Sequence, residues 1–194
     1  MPLGANKAAL FGVAGVSTGS AVLLSTATAS NDTSIEFTLP TAYKQIVFGF
    51  YNITPATDTA GFQFQVNADG QTGYNETITS TYFYAIHDEA NTTASLSYEG
   101  SLDLAQGTSY QPLASYLGNG ADESLAGILH LFNPASTTYV KHFYSTRNYH
   151  SAHNYTVNGF TGGYINTTTN LSEISFKMSS GNISSGTIKM WGVT

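Results

Sequence analysis

From about residue 33 onward, the apolar residues of this chain recur at every second position. Ile35, Phe37 and Leu39 alternate with Glu36 and Thr38; Phe62, Phe64 and Val66 alternate with Gln63, Gln65 and Asn67; Ile174, Phe176 and Met178 alternate with Ser175 and Lys177. A period of two sends successive side chains to opposite faces of an extended strand, so each run reads as a half-buried β-strand. Further runs at 45–51, 82–87, 125–132, 139–147 and 187–193 are rich in aromatic and β-branched residues, which fit a pleated surface. Gly, Asn, Asp and Pro turns separate them. Eight or more such strands predict an all-β fold, a two-sheet antiparallel β-sandwich of jelly-roll-like type. A short helix over 111–117 is the one departure expected from this pattern.

At 194 residues the chain is long enough for one sizeable domain with an arm, and residues 33–194 read as a single β-sandwich body. Cysteine is absent, which excludes disulfides, thiolate metal sites and a cysteine nucleophile. Charged residues make up 9% of the chain, against about 25% in an ordinary soluble domain, so the surface must be largely neutral and polar. Six Lys and Arg stand against twelve Asp and Glu without a basic cluster, which argues against a phosphate-gripping nucleic-acid interface.

Residues 1–32 differ from the body. They are Ala, Gly, Ser, Thr and small aliphatics, with Lys7 the only charge before Asp32. Ala27-Thr28-Ala29 has the form of a signal-peptidase site, but Ser17-Thr18-Gly19-Ser20 interrupts the apolar stretch and Lys7 alone is a thin basic start. The interruption also makes the segment too broken to span a membrane. A docking arm is therefore preferred, with Leu3, Leu10, Phe11 and Val13 as its apolar anchors.

Enzymatic signatures are thin. Asp58, Asp69, Asp88, Glu89, Asp122 and Glu123 all fall in turn-like segments, where carboxylates serve local backbone hydrogen bonding. His150 and His153 are close in sequence but lack the helical spacing and adjacent glutamate of a zinc protease, and no nucleophile elbow or phosphate loop is present. No catalytic residue, metal or cofactor is expected. Eight Asn-x-Ser/Thr sequons begin at Asn31, Asn52, Asn75, Asn91, Asn154, Asn166, Asn170 and Asn182; in a chain this rich in Asn, Ser and Thr, several arise by composition alone. The cluster Tyr144, Arg147, Tyr149, His150, His153 and Tyr155 has the aromatic and adaptable polar mix of a recognition surface or subunit contact, and is the candidate binding site.

The last third carries a likeness. Phe160 to Thr168, Ile174-Ser175-Phe176 and the closing run Gly186-Thr187-Ile188-Lys189-Met190-Trp191-Gly192 resemble the end of a family of uncharacterised virion structural proteins of marine and freshwater tailed phages, whose chains close on a GTIKLYG-like strand. Asn133-Pro134-Ala135-Ser136-Thr137-Thr138 is similar to the same family, and the opening Leu3-Gly4-Ala5-Asn6-Lys7 resembles the start of other phage structural proteins. Met190-Trp191 departs from the family's Leu-Tyr. The resemblance implies a non-enzymatic component of the particle exterior, in a tail fibre, tail tip or capsid decoration, docked through its arm to other virion proteins. It further implies a homo-oligomer, with trimers as one form, and a host-surface glycan as a partner. The alternatives are a secreted, glycosylated filament subunit in the extracellular space, or a sandwich lectin.

Overall fold

A computed structural model describes residues 21–194. The expected anchors Leu3, Leu10, Phe11 and Val13 lie outside the described residues. Within them the chain forms twelve strands: β1 (Val22–Thr28), β2 (Ile35–Thr38), β3 (Gln45–Pro55), β4 (Phe62–Ala68), β5 (Ile78–Asp88), β6 (Ala94–Tyr98), β7 (Gln111–Pro112), β8 (Leu125–Phe132), β9 (Lys141–Ser151), β10 (Tyr155–Ile165), β11 (Leu171–Met178) and β12 (Ile183–Val193). They make an eight-stranded sheet, in the order β1-β12-β3-β8-β9-β10-β5-β6, and a four-stranded sheet, β2-β11-β4-β7. All pairings are antiparallel.

The order contains a complete jelly roll. Strands β1-β12-β3-β8 form one four-stranded half and β2-β11-β4-β7 the other, with the chain crossing between sheets at β1–β2, β2–β3, β3–β4, β4–β5, β6–β7, β7–β8, β10–β11 and β11–β12. Two hairpins are inserted into that frame, β5–β6 between β4 and β7 and β9–β10 between β8 and β11. Both join the larger sheet on the β8 side and carry it past the edge of the smaller one.

The alternating apolar residues meet between the sheets. Phe176 of β11 is fully buried, with the rings of Phe48, Phe50 and Phe62 at 5.2, 5.4 and 5.9 Å and those of Phe37 and Phe64 at 6.3 and 6.4 Å. Offset and edge-to-face packing of this kind adds to the area buried. The outer face of the smaller sheet is covered by the chain's own loops. Buried Gln65 donates to the carbonyls of Glu76 and Ser109, Asn67 accepts from the Tyr74 amide at 2.7 Å, and Tyr110 donates to Ser175.

Two expectations are corrected. Val22–Thr28, assigned to the arm, is the edge strand β1, pairing with β12 from Val22↔Gly192 to Thr28↔Thr187, so the body begins at or before Val22. No helix forms over 111–117. Gln111 and Pro112 pair instead with Phe64 and Gln63 of β4, buried Gln111 is anchored by the Ser80 hydroxyl at 2.5 Å, and Tyr116 adopts a left-handed φ of 52°.

Candidate functional site

Beyond β8 the large sheet outgrows the smaller one, which still reaches Phe143 of β9 through Phe64 and Ser80 of β5 through Gln111, and a cleft of about 650 Å³ lies at this border, with Gln63 of β4 and Pro112 of β7 in its lining. Register fixes its floor. Ile86 pairs with Val157, Val157 with Tyr149 and Tyr149 with Leu125, so these side chains form one row across β5, β10, β9 and β8. Tyr155, paired with both Asp88 and Ser151, belongs to the next row, and Tyr84 to the row on the other side. Residues 99–102 and 112–116, which connect β6 to β7 and leave β7, build the opposite wall and bring in Glu99, Ser101 and Tyr116.

The site is aromatic and hydroxyl-rich. Buried Tyr149 accepts a hydrogen bond from the Ser115 amide at 3.4 Å, and its burial raises the phenol pKa well above the ordinary value. The pKa of Tyr84 is also raised, first by burial and then by the Glu99 carboxylate beside it. Tyr116 meets His153 edge-on at 5.4 Å on the exposed rim. A second hollow of about 430 Å³, bounded by Asp88, Glu89 and Asn154, continues the cleft and shares His153 and Tyr155 with it. Asp88 is committed to its own turn: its carboxylate accepts from the Thr92 hydroxyl and from the Thr92 and Thr93 amides, which hold its pKa below the ordinary value.

The six residues selected from sequence do not form one surface. Tyr149, His153 and Tyr155 line the cleft. Tyr144 and His150 are on the outer face of the sheet, because β9 alternates strictly between buried and outward positions. Tyr144 stacks there on His130 at 4.5 Å. His150 is at the end of the strand between two carboxylates, with Nε2 3.1 Å from Glu89 and Nδ1 3.1 Å from Glu123; the Glu123 contact has ion-pair distance without hydrogen-bond alignment. Arg147 is a correction. It is 2% exposed, its guanidinium lies 4.4 Å from the Tyr82 ring and donates to Thr161 Oγ1 at 2.7 Å, and it contacts no solvent-facing ligand surface.

The site also contains residues that were not selected. Tyr84, Tyr116 and Glu99 come from strand β5 and the wall segments. Tyr84 belongs to a run recognised as a strand, but its neighbour across β10 follows only from the register. Among the described residues no three His, Asp or Glu side chains are grouped so as to hold a metal ion. No known protein family matches the chain, and no curated protein does.

Proposed function

We propose that this chain is a non-enzymatic structural protein on the exterior of a tailed-phage particle, and that the cleft at the border of its two sheets binds a surface glycan. The cleft carries the glycan half of this reading. A pyranose ring has apolar C–H faces and a rim of hydroxyls; tyrosine rings such as Tyr84 and Tyr155 suit the faces, while Glu99, Ser101 and Ser151 suit the rim. Hydrolysis of a glycoside ordinarily requires two carboxylates flanking one bond. The wall of the main cleft offers one carboxylate, Glu99, while in the adjoining hollow Asp88 is engaged by its own turn and Glu89 by His150, an arrangement that favours holding a sugar over cleaving it.

The virion half is supported by the resemblance in the last third of the chain. That segment supplies β8 to β12, including the strand that closes the larger sheet against β1 and β3. Fold alone does not choose a function, since jelly rolls serve capsids, lectins and enzymes alike.

A glycan microarray, followed by titration calorimetry on the best ligand, tests the cleft. Neutral glycans are expected to bind without release of sugar, and Tyr155→Ala or Glu99→Gln to weaken binding by about tenfold or more, roughly 1.4 kcal/mol. Binding unchanged in both variants would remove the cleft from the reading, and sugar release abolished by Glu99→Gln would make the protein an enzyme. Quantitative mass spectrometry of purified particles tests the placement: a few to tens of copies per particle indicate the tail, hundreds the shell, and absence from the particle refutes both.

A further inference from the structure

The outward side of the eight-stranded sheet carries a concentration of aromatic and aliphatic side chains. Register aligns its side chains into rows that cross the whole sheet. One row runs Leu23, Trp191, Val47, His130, Tyr144. The next runs Lys189, Ile128, Phe160, Phe83, Tyr98, with Gly49 and Thr146 completing it. Lys189 is the one formal charge in the two rows. Burial lowers the pKa of His130, so its imidazole stays neutral at neutral pH.

The rings stack face to face across neighbouring strands. Phe83 and Phe160 stack at 4.9 Å with an 11° interplanar angle, and His130 and Tyr144 at 4.5 Å and 22°. Trp191 spreads over Gly49, where a Cβ would come within 2.8 Å of the indole. Ile128, Tyr144 and Tyr98 are nevertheless 42, 45 and 59% exposed. The opposite outer face, on the smaller sheet, is covered by loops; this one is not covered by any described segment.

We propose that this face is the surface through which two copies of the chain associate back to back. Two observations select a second copy as the occupant. The two rows and one further outward row on each side, through Gln45 and Phe132 and through Asn148 and Leu96, span about 25 Å along strands about 4.8 Å apart, and the eight strands then present up to roughly 850 Å², close to the ~800 Å² per partner of a stable interface. A nearly uncharged face meets its own image without like-charge repulsion, whereas a nucleic acid or an anionic membrane needs cations that it lacks. The cleft opens from the inner side of the same sheet, so back-to-back pairing leaves both clefts accessible and gives the pair two-point attachment to a repetitive surface. The inference does not depend on the glycan reading: a pair that binds no sugar would sustain it.

Sedimentation velocity on the full chain at micromolar concentration tests it. A species of twice the 20.6 kDa chain mass is expected. Ile128→Lys is expected to weaken it by at least about tenfold, since pairing would bury a charge at the centre of the contact. Leu96→Lys, two residues from Tyr98 on the same outward side of the edge strand β6 and 73% exposed, is expected to act in the same direction without risk to folding, while Tyr139→Lys, 72% exposed and outside the eight-stranded sheet, leaves the pair intact. A monomeric full chain, or a pair indifferent to both Ile128→Lys and Leu96→Lys, would overturn the proposal.

Discussion

Arg147 enters the interior without a carboxylate to meet it. Its Nη1 donates to Thr161, but Nε and Nη2 are buried without a hydrogen-bond partner among the described residues. Gly159 makes room for the group, since a Cβ there would lie 2.8 Å from the guanidinium carbon. The Tyr82 ring supplies cation–π attraction, yet burial still lowers the arginine pKa, a sign that desolvation outweighs what its neighbours return. Arg147→Met keeps most of the volume and removes the unpaired donors, so it is expected to stabilise the fold by about 1 kcal/mol or more in urea denaturation. A loss of that size would show that the guanidinium is needed structurally. His150 gives a prediction of opposite character. Carboxylates at both ring nitrogens favour the imidazolium: the Glu89 hydrogen bond leads in raising its pKa, with Glu123 and Asp122 assisting against partial burial. A folded pKa above the unfolded value of about 6.5 contributes stability that is complete below that value and vanishes as pH rises through the folded pKa. The stability gap between wild type and His150→Gln, measured by thermal melts, is therefore expected to be largest near pH 6 and to close toward pH 9; a gap independent of pH would mean that the ion pairs contribute nothing.

At the level of elements, alternation made most of the sandwich legible and left its edges, and the interior strand β10, obscure. Strands β2, β4 and β11 carry apolar residues on one side and polar ones on the other, and the aromatic runs of β3, β8, β9 and β12 stand out for the same physical reason. Edge strands have no such requirement. Ala94–Tyr98 forms β6 with four of its five residues exposed, and Val22–Thr28 forms β1 from small residues that compositionally belong with the segment before them. The cleft was half legible. Tyr149, His153 and Tyr155 cluster in sequence because a hairpin turn at 152–154 brings β9 and β10 together, a local event. Tyr84 reaches them through Gly159 and β10, and Glu99 and Tyr116 through loops whose course depends on where the smaller sheet ends, which are long-range facts. Parity explains the one clear error: Arg147 and Tyr149 share the inner side of β9 with Tyr144 and His150 on the other, and only a decision about which side faces the core separates buried from exposed. Arginine on the buried side runs against every compositional expectation.

For the whole molecule, the scarcity of charge has a consequence for what holds it together. Charged residues are 9% of the chain, and among the described residues the ion pairs within 4 Å all involve His150. The interior is instead an aromatic and aliphatic core centred on Phe176. Salt screens charge pairs within about 10 Å at 0.1 M but leaves apolar burial intact. At a pH above the titration of His150, raising sodium chloride from about 0.05 to about 1 M should therefore move the melting temperature by less than about 3 °C, given that 1 kcal/mol corresponds to roughly 2–4 °C in a domain of this size and an exposed pair is worth at most about 1 kcal/mol. Any movement should be upward, because a net charge of −6 repels itself until it is screened. Differential scanning calorimetry across that range measures both sign and size. A fall of more than about 5 °C would exceed what screening one exposed pair can remove, and would place a substantial part of the folding energy in charge contacts at the surface. The expected insensitivity extends to the proposed pairing, since a nearly uncharged sheet face should pair as firmly in high salt as in low.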